Sequence, residues 1–126
     1  MRIISGVLKG KKINHLKNHI TRPLKDSVKE NIFNILVHSN NIKVNLECSN
    51  VLDLYSGVGS FGIECISRGA QNVTFIEEDK LAFYTLKENL HNLSIINKTN
   101  IFNNKIDQII KKKFNTKFDI FFRSAI

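Results

Sequence analysis

Apolar positions along the chain fall into short runs that alternate between two spacings. Val51-Leu52-Asp53-Leu54-Tyr55, Val73-Thr74-Phe75-Ile76, Ile101-Phe102 and Phe118-Asp119-Ile120-Phe121-Phe122 are brief, mostly apolar and bounded by polar or Gly residues. That is the signature of buried strands. Between them the spacing becomes helical. Phe61, Ile63 and Ile66 predict a helix that ends before Gly69, a good residue for the left-handed position after a helix. Ala82, Leu86, Leu90 and Leu93 share one face of a second helix over about 79–93, and Ile106, Ile109 and Ile110 mark a third, short one. Strands alternating with helices predict an α/β fold with a parallel sheet of about four strands.

The first fifty residues read differently. Arg2-Ile3-Ile4-Ser5-Gly6 and Leu8-Lys9-Gly10-Lys11-Lys12-Ile13 predict a small hairpin. Pro23 disfavours helix at Arg22. Val28, Ile32, Ile35 and Leu36 then predict an amphipathic helix, with Ser27 and Glu30 as a capping box and Asp26 as a rival cap. The Asn-rich stretch 38–50 reads as a linker. These features divide the chain into an arm with its helix, 1–49, and an α/β part, 50–126.

Composition narrows the class. The chain has 126 residues, a net charge of +8 and 42% hydrophobic residues, enough for one core and against wholesale disorder. No apolar run approaches the ~20 residues that cross a bilayer, and the start lacks the long apolar stretch of a secretory signal; a cytoplasmic protein without a membrane role is expected. Cys48 and Cys65 make neither a disulfide framework nor a metal pattern, and each is expected to be a buried small residue. The four His have no ligand spacing. The charge is uneven: residues 1–50 carry +6, residues 51–90 carry −3 and residues 91–126 carry +5. The 15 Lys accompany 18 Ile and 16 Asn, a bias shared with A/T-rich codons, so no single lysine is strong evidence for a partner. The cluster Arg2, Lys9, Lys11, Lys12, Lys17, Arg22, Lys25 and Lys29 nonetheless favours a polyanion such as RNA. No feature points to a protein partner.

The chemistry concentrates between the first two strands. Gly57, Gly59 and Gly62 spell G-x-G-x-x-G at a strand–helix junction, where a ligand can approach bare backbone. Glu77 follows Gly57 by 20 residues, at the end of the second strand, where a carboxylate can accept both hydroxyls of a ribose. Asp53 precedes Gly57 by four residues, inside the first strand. A carboxylate there would repel a pyrophosphate and attract the ammonium of a methionine group, which favours S-adenosylmethionine over NAD. Plain packing glycines and a solvated acidic cluster at Glu77-Glu78-Asp79 are the structural alternative.

Taken together these segments resemble the RsmD-type 16S rRNA (guanine-N2) methyltransferase family. The similarity lies in Met1-Arg2-Ile3-Ile4-Ser5-Gly6, Lys9-Gly10-Lys11, Arg22-Pro23, Val28-Lys29-Glu30, Phe33-Asn34-Ile35-Leu36, Val51 through Gly59, Glu64, Ser67-Arg68-Gly69-Ala70, Phe75-Ile76-Glu77, Asn89-Leu90 and Phe118-Asp119. The resemblance implies a class I, Rossmann-like fold and S-adenosylmethionine-dependent methylation of a guanine exocyclic amine in small-subunit rRNA. It implies that Asp53, Gly57 and Gly59 hold the methionine end, that Glu77 holds the ribose, that Asn104 (or Asn103) meets the adenine edge, and that Arg2, Lys9, Arg22 and Lys29 meet 16S rRNA or the small subunit. After the fourth strand the family has Leu-Asp/Asn-Pro-Pro-Phe/Tyr, which positions and stacks the flipped base. Here Phe122 is followed by Arg123-Ser124-Ala125-Ile126. The codons TTA GAT CCG CCA TTT, read one frame over, contain AGA TCC GCC ATT, which encode those four residues. A frameshifted, truncated and inactive methyltransferase chain is therefore expected, and an Asp-Pro-Pro reading directly downstream in another frame would show it.

Overall fold

The computed structural model describes residues 1–16, 25–38, 45–110 and 117–123. Four parallel strands form one sheet in the order β3-β2-β1-β4, with β1 Asn50–Leu54, β2 Asn72–Ile76, β3 Thr99–Phe102 and β4 Ile120–Arg123. The helices α1 Asp26–His38, α2 Ser60–Ser67, α3 Lys80–Asn92 and α4 Ile106–Ile110 complete the order, with a 3-10 turn at Ile96–Lys98. Side chains alternate across β1. Val51 and Asp53 face the core beneath α2 and α3, while Leu52 and Leu54 join Ile76, Ile106 and Ile109 on the other side. That alternation gives Asp53 its surroundings, because its register partners are Phe75 on β2 and Phe122 on β4.

The hairpin forms as expected, with an antiparallel bridge between Arg2 and Lys12 and hydrogen bonds from Ile3 N to Lys11 O and from Ile13 N to Met1 O. It is not a detached arm. Ile3, Ile13 and Phe33 belong to the same core cluster as Val51, Phe61 and Phe75. The boundary at 49/50 therefore divides charge, while packing runs across it.

α1 turns a different face inward from the one its periodicity predicts. Val28 and Ile35 are 43% and 55% exposed, whereas Lys29 and Phe33 are fully buried and Ile32 and Leu36 are partly covered. The reason is tertiary. Phe33 stacks on Phe61 at 5.1 Å, the Arg68 guanidinium lies 4.3 Å from the Phe33 ring centroid in a cation–π contact, and the Lys29 ammonium lies 3.3 Å from the buried Glu64 carboxylate. Burial of one large aromatic contributes about 1.5–3 kcal/mol and its ring contacts about 0.5–1.5 kcal/mol more, which outweighs the gain from half-covering Val28. Ser27 lies within α1, so it does not cap it.

β4 starts at Ile120 instead of Phe118, because Asp119 is bound to the start of β1: its N–H donates to Asn50 O and its Oδ2 accepts from Asn50 N, both at 2.8 Å. Cys48 is exposed, in a turn with φ +61°, while Cys65 is buried as expected. Phe121 on β4 is 67% exposed. Among the described residues β4 is an edge strand, and an apolar edge invites association. Replacing Phe121 by Lys is expected to reduce concentration-dependent light scattering while shifting stability by no more than about 0.5 kcal/mol. Unchanged scattering would show that the edge is not the sticky surface.

Candidate cofactor site

The strand–helix junctions after β1 and β2 lie side by side, because β1 and β2 pair in parallel from Asn50↔Asn72 to Leu54↔Ile76. Their following loops therefore meet at the carboxyl end of the sheet. Ser56 N donates to Ile76 O at 3.0 Å and Glu77 N to Phe102 O at 3.0 Å, which locks the loops to the strand ends.

Each glycine of the motif does something different. Gly57 has φ +58°, and a Cβ there would point into open space. Gly59 has φ +96°, a left-handed conformation that L side chains rarely adopt, and a Cβ there would also press on Leu86 Cδ1 at 2.5 Å. Gly62 lets α2 lie against the Phe75 ring.

Two carboxylates take the backbone donors of this turn. Glu77, 6% exposed, accepts the Gly57 N–H on Oε1 at 2.9 Å and the Asp79 N–H on Oε2 at 3.0 Å. Asp53, 1% exposed, accepts the Gly62 N–H on Oδ2 at 3.2 Å. Burial pushes the Asp53 carboxyl up from 3.8 to about 8; the Gly62 N–H opposes the shift and the nearby Glu77 charge adds to it. The structure thus brings Asp53, Gly57, Gly59 and Glu77 into one place. Asn104 is half-buried in the bend after β3, whereas its neighbour Asn103 donates to Glu77 O at 2.9 Å and Glu78 O at 3.1 Å, holding the end of β3 to the end of β2. Asp79 is the N-cap of α3, accepting the Ala82 N–H at 2.9 Å. That is the structural role weighed for the acidic cluster.

The proposed RNA contacts separate. Arg2 and Lys9 are exposed on the hairpin beside Lys11 and Lys12. Arg22 lies outside the described residues. Lys29 is a correction. Its side chain is fully buried, its Nζ donates to Arg2 O at 2.9 Å and Ser60 Oγ at 3.2 Å, and it pairs with Glu64. A buried carboxylate needs a cation, and Lys29 supplies it at the expense of the surface. Residues 124–126, which replace the acceptor motif that the resemblance implies after the fourth strand, are also outside the described residues.

Glu64 and Asn89 are the residues whose roles sequence reasoning missed. Glu64, fully buried, accepts Ile4 N and Lys29 on Oε1, and Ser5 N and Arg68 Nε on Oε2. Burial alone would push its carboxyl above the ordinary 4.5, but the Ile4 N–H, the Arg68 guanidinium, the Lys29 ammonium and the Ser5 N–H together hold it below that value. A Glu in the middle of an otherwise apolar helix, SFGIECIS, was the available signal.

The model of the family described as conserved hypothetical protein 95 matches residues 1–124. The ribosomal RNA small subunit methyltransferase D of Buchnera aphidicola subsp. Acyrthosiphon pisum is 41% identical over 120 residues, covering 95% of this chain and 59% of the relative. The chain belongs to the RsmD family. The Haemophilus influenzae protein of the same name is 41% identical over 93 residues, 74% of this chain and 45% of its own length. The structure of Escherichia coli yhhF superposes with a TM-score of 0.75 at 27% identity, covering 90% of this chain and 57% of that one. The chain thus spans about half the length of the RsmD relatives it matches, and its four strands form part of a class I methyltransferase sheet. Among the described residues no helix is long and apolar enough to cross a membrane.

Proposed function

We propose that this chain holds S-adenosylmethionine at the joined ends of β1 and β2, within an enzyme that methylates the exocyclic N2 of a guanine in 16S rRNA. One observation carries the cofactor assignment: the turn's N–H groups at Gly57 and Gly62 already face carboxylates. In a dinucleotide site those groups would face a pyrophosphate, which the Glu77 carboxylate on the Gly57 N–H would repel. A cofactor with an ammonium and a ribose suits them. Glu77 uses two of its roughly four lone-pair positions on Gly57 and Asp79, leaving capacity for two ribose hydroxyls. Asp53 would meet the ammonium, Gly57 and Gly59 the methionine backbone, and Asn104 the adenine edge. Exposed Arg2 and Lys9, with Arg22, would meet phosphates. The names of the relatives support rRNA as substrate.

A second reading is a non-catalytic RNA- or cofactor-binding chain. The residues after Phe122, Arg123-Ser124-Ala125-Ile126, differ from the Asp/Asn-Pro-Pro-Phe/Tyr that the family resemblance implies there, which favours it. A third, an NAD-binding fragment, is what the carboxylates argue against. Calorimetry separates them: S-adenosylhomocysteine binds and NAD does not. Glu77→Ala weakens binding at least about tenfold, since hydrogen bonds to a charged acceptor are worth ~1.5–3 kcal/mol each. Binding of NAD alone would overturn the cofactor assignment. Transfer of label from S-adenosylmethionine to guanine in small-subunit RNA, against none, distinguishes the enzyme from the binding chain.

A further inference from the structure

Two buried side chains, from different helices, tie the basic hairpin to the cofactor turn. Asn89 on α3 is 2% exposed. Its Oδ1 accepts the Asn14 N–H at 2.9 Å, and its Nδ2 donates to Asn14 O and to Val58 O, both at 3.0 Å. Lys29 on α1 donates to Arg2 O at 2.9 Å and to Ser60 Oγ at 3.2 Å. Val58 and Ser60 flank Gly59, the residue held at φ +96°. Arg2 and Asn14 lie on the two strands of the hairpin, which meet at the Arg2–Lys12 bridge. Each strand of the hairpin is thus pinned to one side of the turn. Asn89 has both amide hydrogens and its oxygen engaged, so a shift of the hairpin has to break a buried hydrogen bond or carry the turn with it.

We propose that Asn89 and Lys29 are positioning residues that couple the seating of the hairpin to the shape of the glycine turn, so that RNA on the hairpin and S-adenosylmethionine at the turn bind with mutual dependence. The inference rests on the cofactor and RNA assignments above, and the coupling is reciprocal by linkage.

The test is calorimetry of S-adenosylhomocysteine on the full chain, with and without a saturating guanine-containing RNA stem-loop. RNA is expected to change the cofactor's affinity by about fivefold or more, and the cofactor to change RNA affinity by the same factor. In Asn89→Ala, checked for folding by circular dichroism, cofactor binding weakens and the effect of RNA falls below about twofold. A residue that only stabilises the fold would leave that ratio unchanged. Should Asn89→Ala not fold, Asn89→Asp takes its place, because it keeps an acceptor for the Asn14 N–H and loses the donors to Val58 O and Asn14 O. Failure of the wild-type chain to bind S-adenosylhomocysteine or RNA overturns the assignments and this inference with them. Binding of both without mutual effect, or coupling retained in the variant, overturns the inference alone.

Discussion

Asp53→Asn is expected to make the unliganded chain more stable at pH 7 and to abolish cofactor binding. Burial raises the Asp53 carboxyl from 3.8 to about 8. In the unfolded chain it ionises near 3.8, while in the folded chain it keeps its proton until about pH 8. Between those values the folded state binds more protons, so stability falls as pH rises across this window. At pH 7 the cost reaches the order of 4 kcal/mol, at 1.36 kcal/mol per unit of displacement. Asparagine removes that cost and keeps an oxygen for the Gly62 N–H. Urea unfolding at several pH values checks this: the variant's midpoint exceeds the wild type's at pH 7, and the gap closes toward pH 4. Binding reads the same group from the other side. An ammonium beside Asp53 favours the carboxylate, so wild-type binding near neutral pH releases about one proton. Calorimetry in buffers of different ionisation enthalpy reports it. A wild-type midpoint that does not fall from pH 4 to pH 8 relative to the variant's would show that Asp53 is not a proton-holding site.

Glu64→Gln is expected to have the opposite effect, and a larger one on the hairpin. The carboxylate receives two backbone N–H groups, Ile4 and Ser5, and two cations, Lys29 and Arg68. Loss of one partner of a buried ion pair costs about 3–5 kcal/mol, a large share of the ~5–15 kcal/mol that holds a domain folded. The amide keeps the volume but turns donors toward donors and leaves the Lys29 ammonium buried without its anion. Hydrogen exchange at Ile4 and Ser5 is expected to accelerate by at least about a hundredfold, as that energy implies, with a matching fall in the urea midpoint. The sign of the pH effect is also opposite to that of Asp53. The Glu64 carboxyl is held below 4.5, so its stabilisation is complete above that value and is lost as pH falls through the folded-state value. Unchanged exchange at Ile4 and Ser5 would mean that the hairpin is held by its apolar contacts alone.

These two carboxylates mark the limit of what could be read along the chain. Asp53 was legible because it stands in an apolar strand, VLDL, four residues before a glycine turn, where a polar residue has no packing reason to be. The same rule applies to Glu64, in SFGIECIS, yet nothing local says which groups surround it. Its partners come from 4, 5, 29 and 68, and three of them lie 35 or more residues away in sequence. Lys29 shows the cost of reading charge as surface. In a chain with 15 lysines, one more on a helix looks solvated, and only the position of Glu64 reveals that it is buried.

Spacing by itself determined the alternation of strands and helices, the G-x-G-x-x-G turn, and the carboxylates at 53 and 77 on successive strand ends. Those are local properties: burial periods of two and 3.6 residues, and glycine where φ must be positive. Only the tertiary structure decided that α1 buries Lys29 and Phe33 instead of Val28 and Ile35. It also decided that Asp119 is taken by Asn50 and that Asn89 joins the hairpin to the turn. A buried polar group must find partners wherever the folded chain brings them, and those partners are distant in sequence.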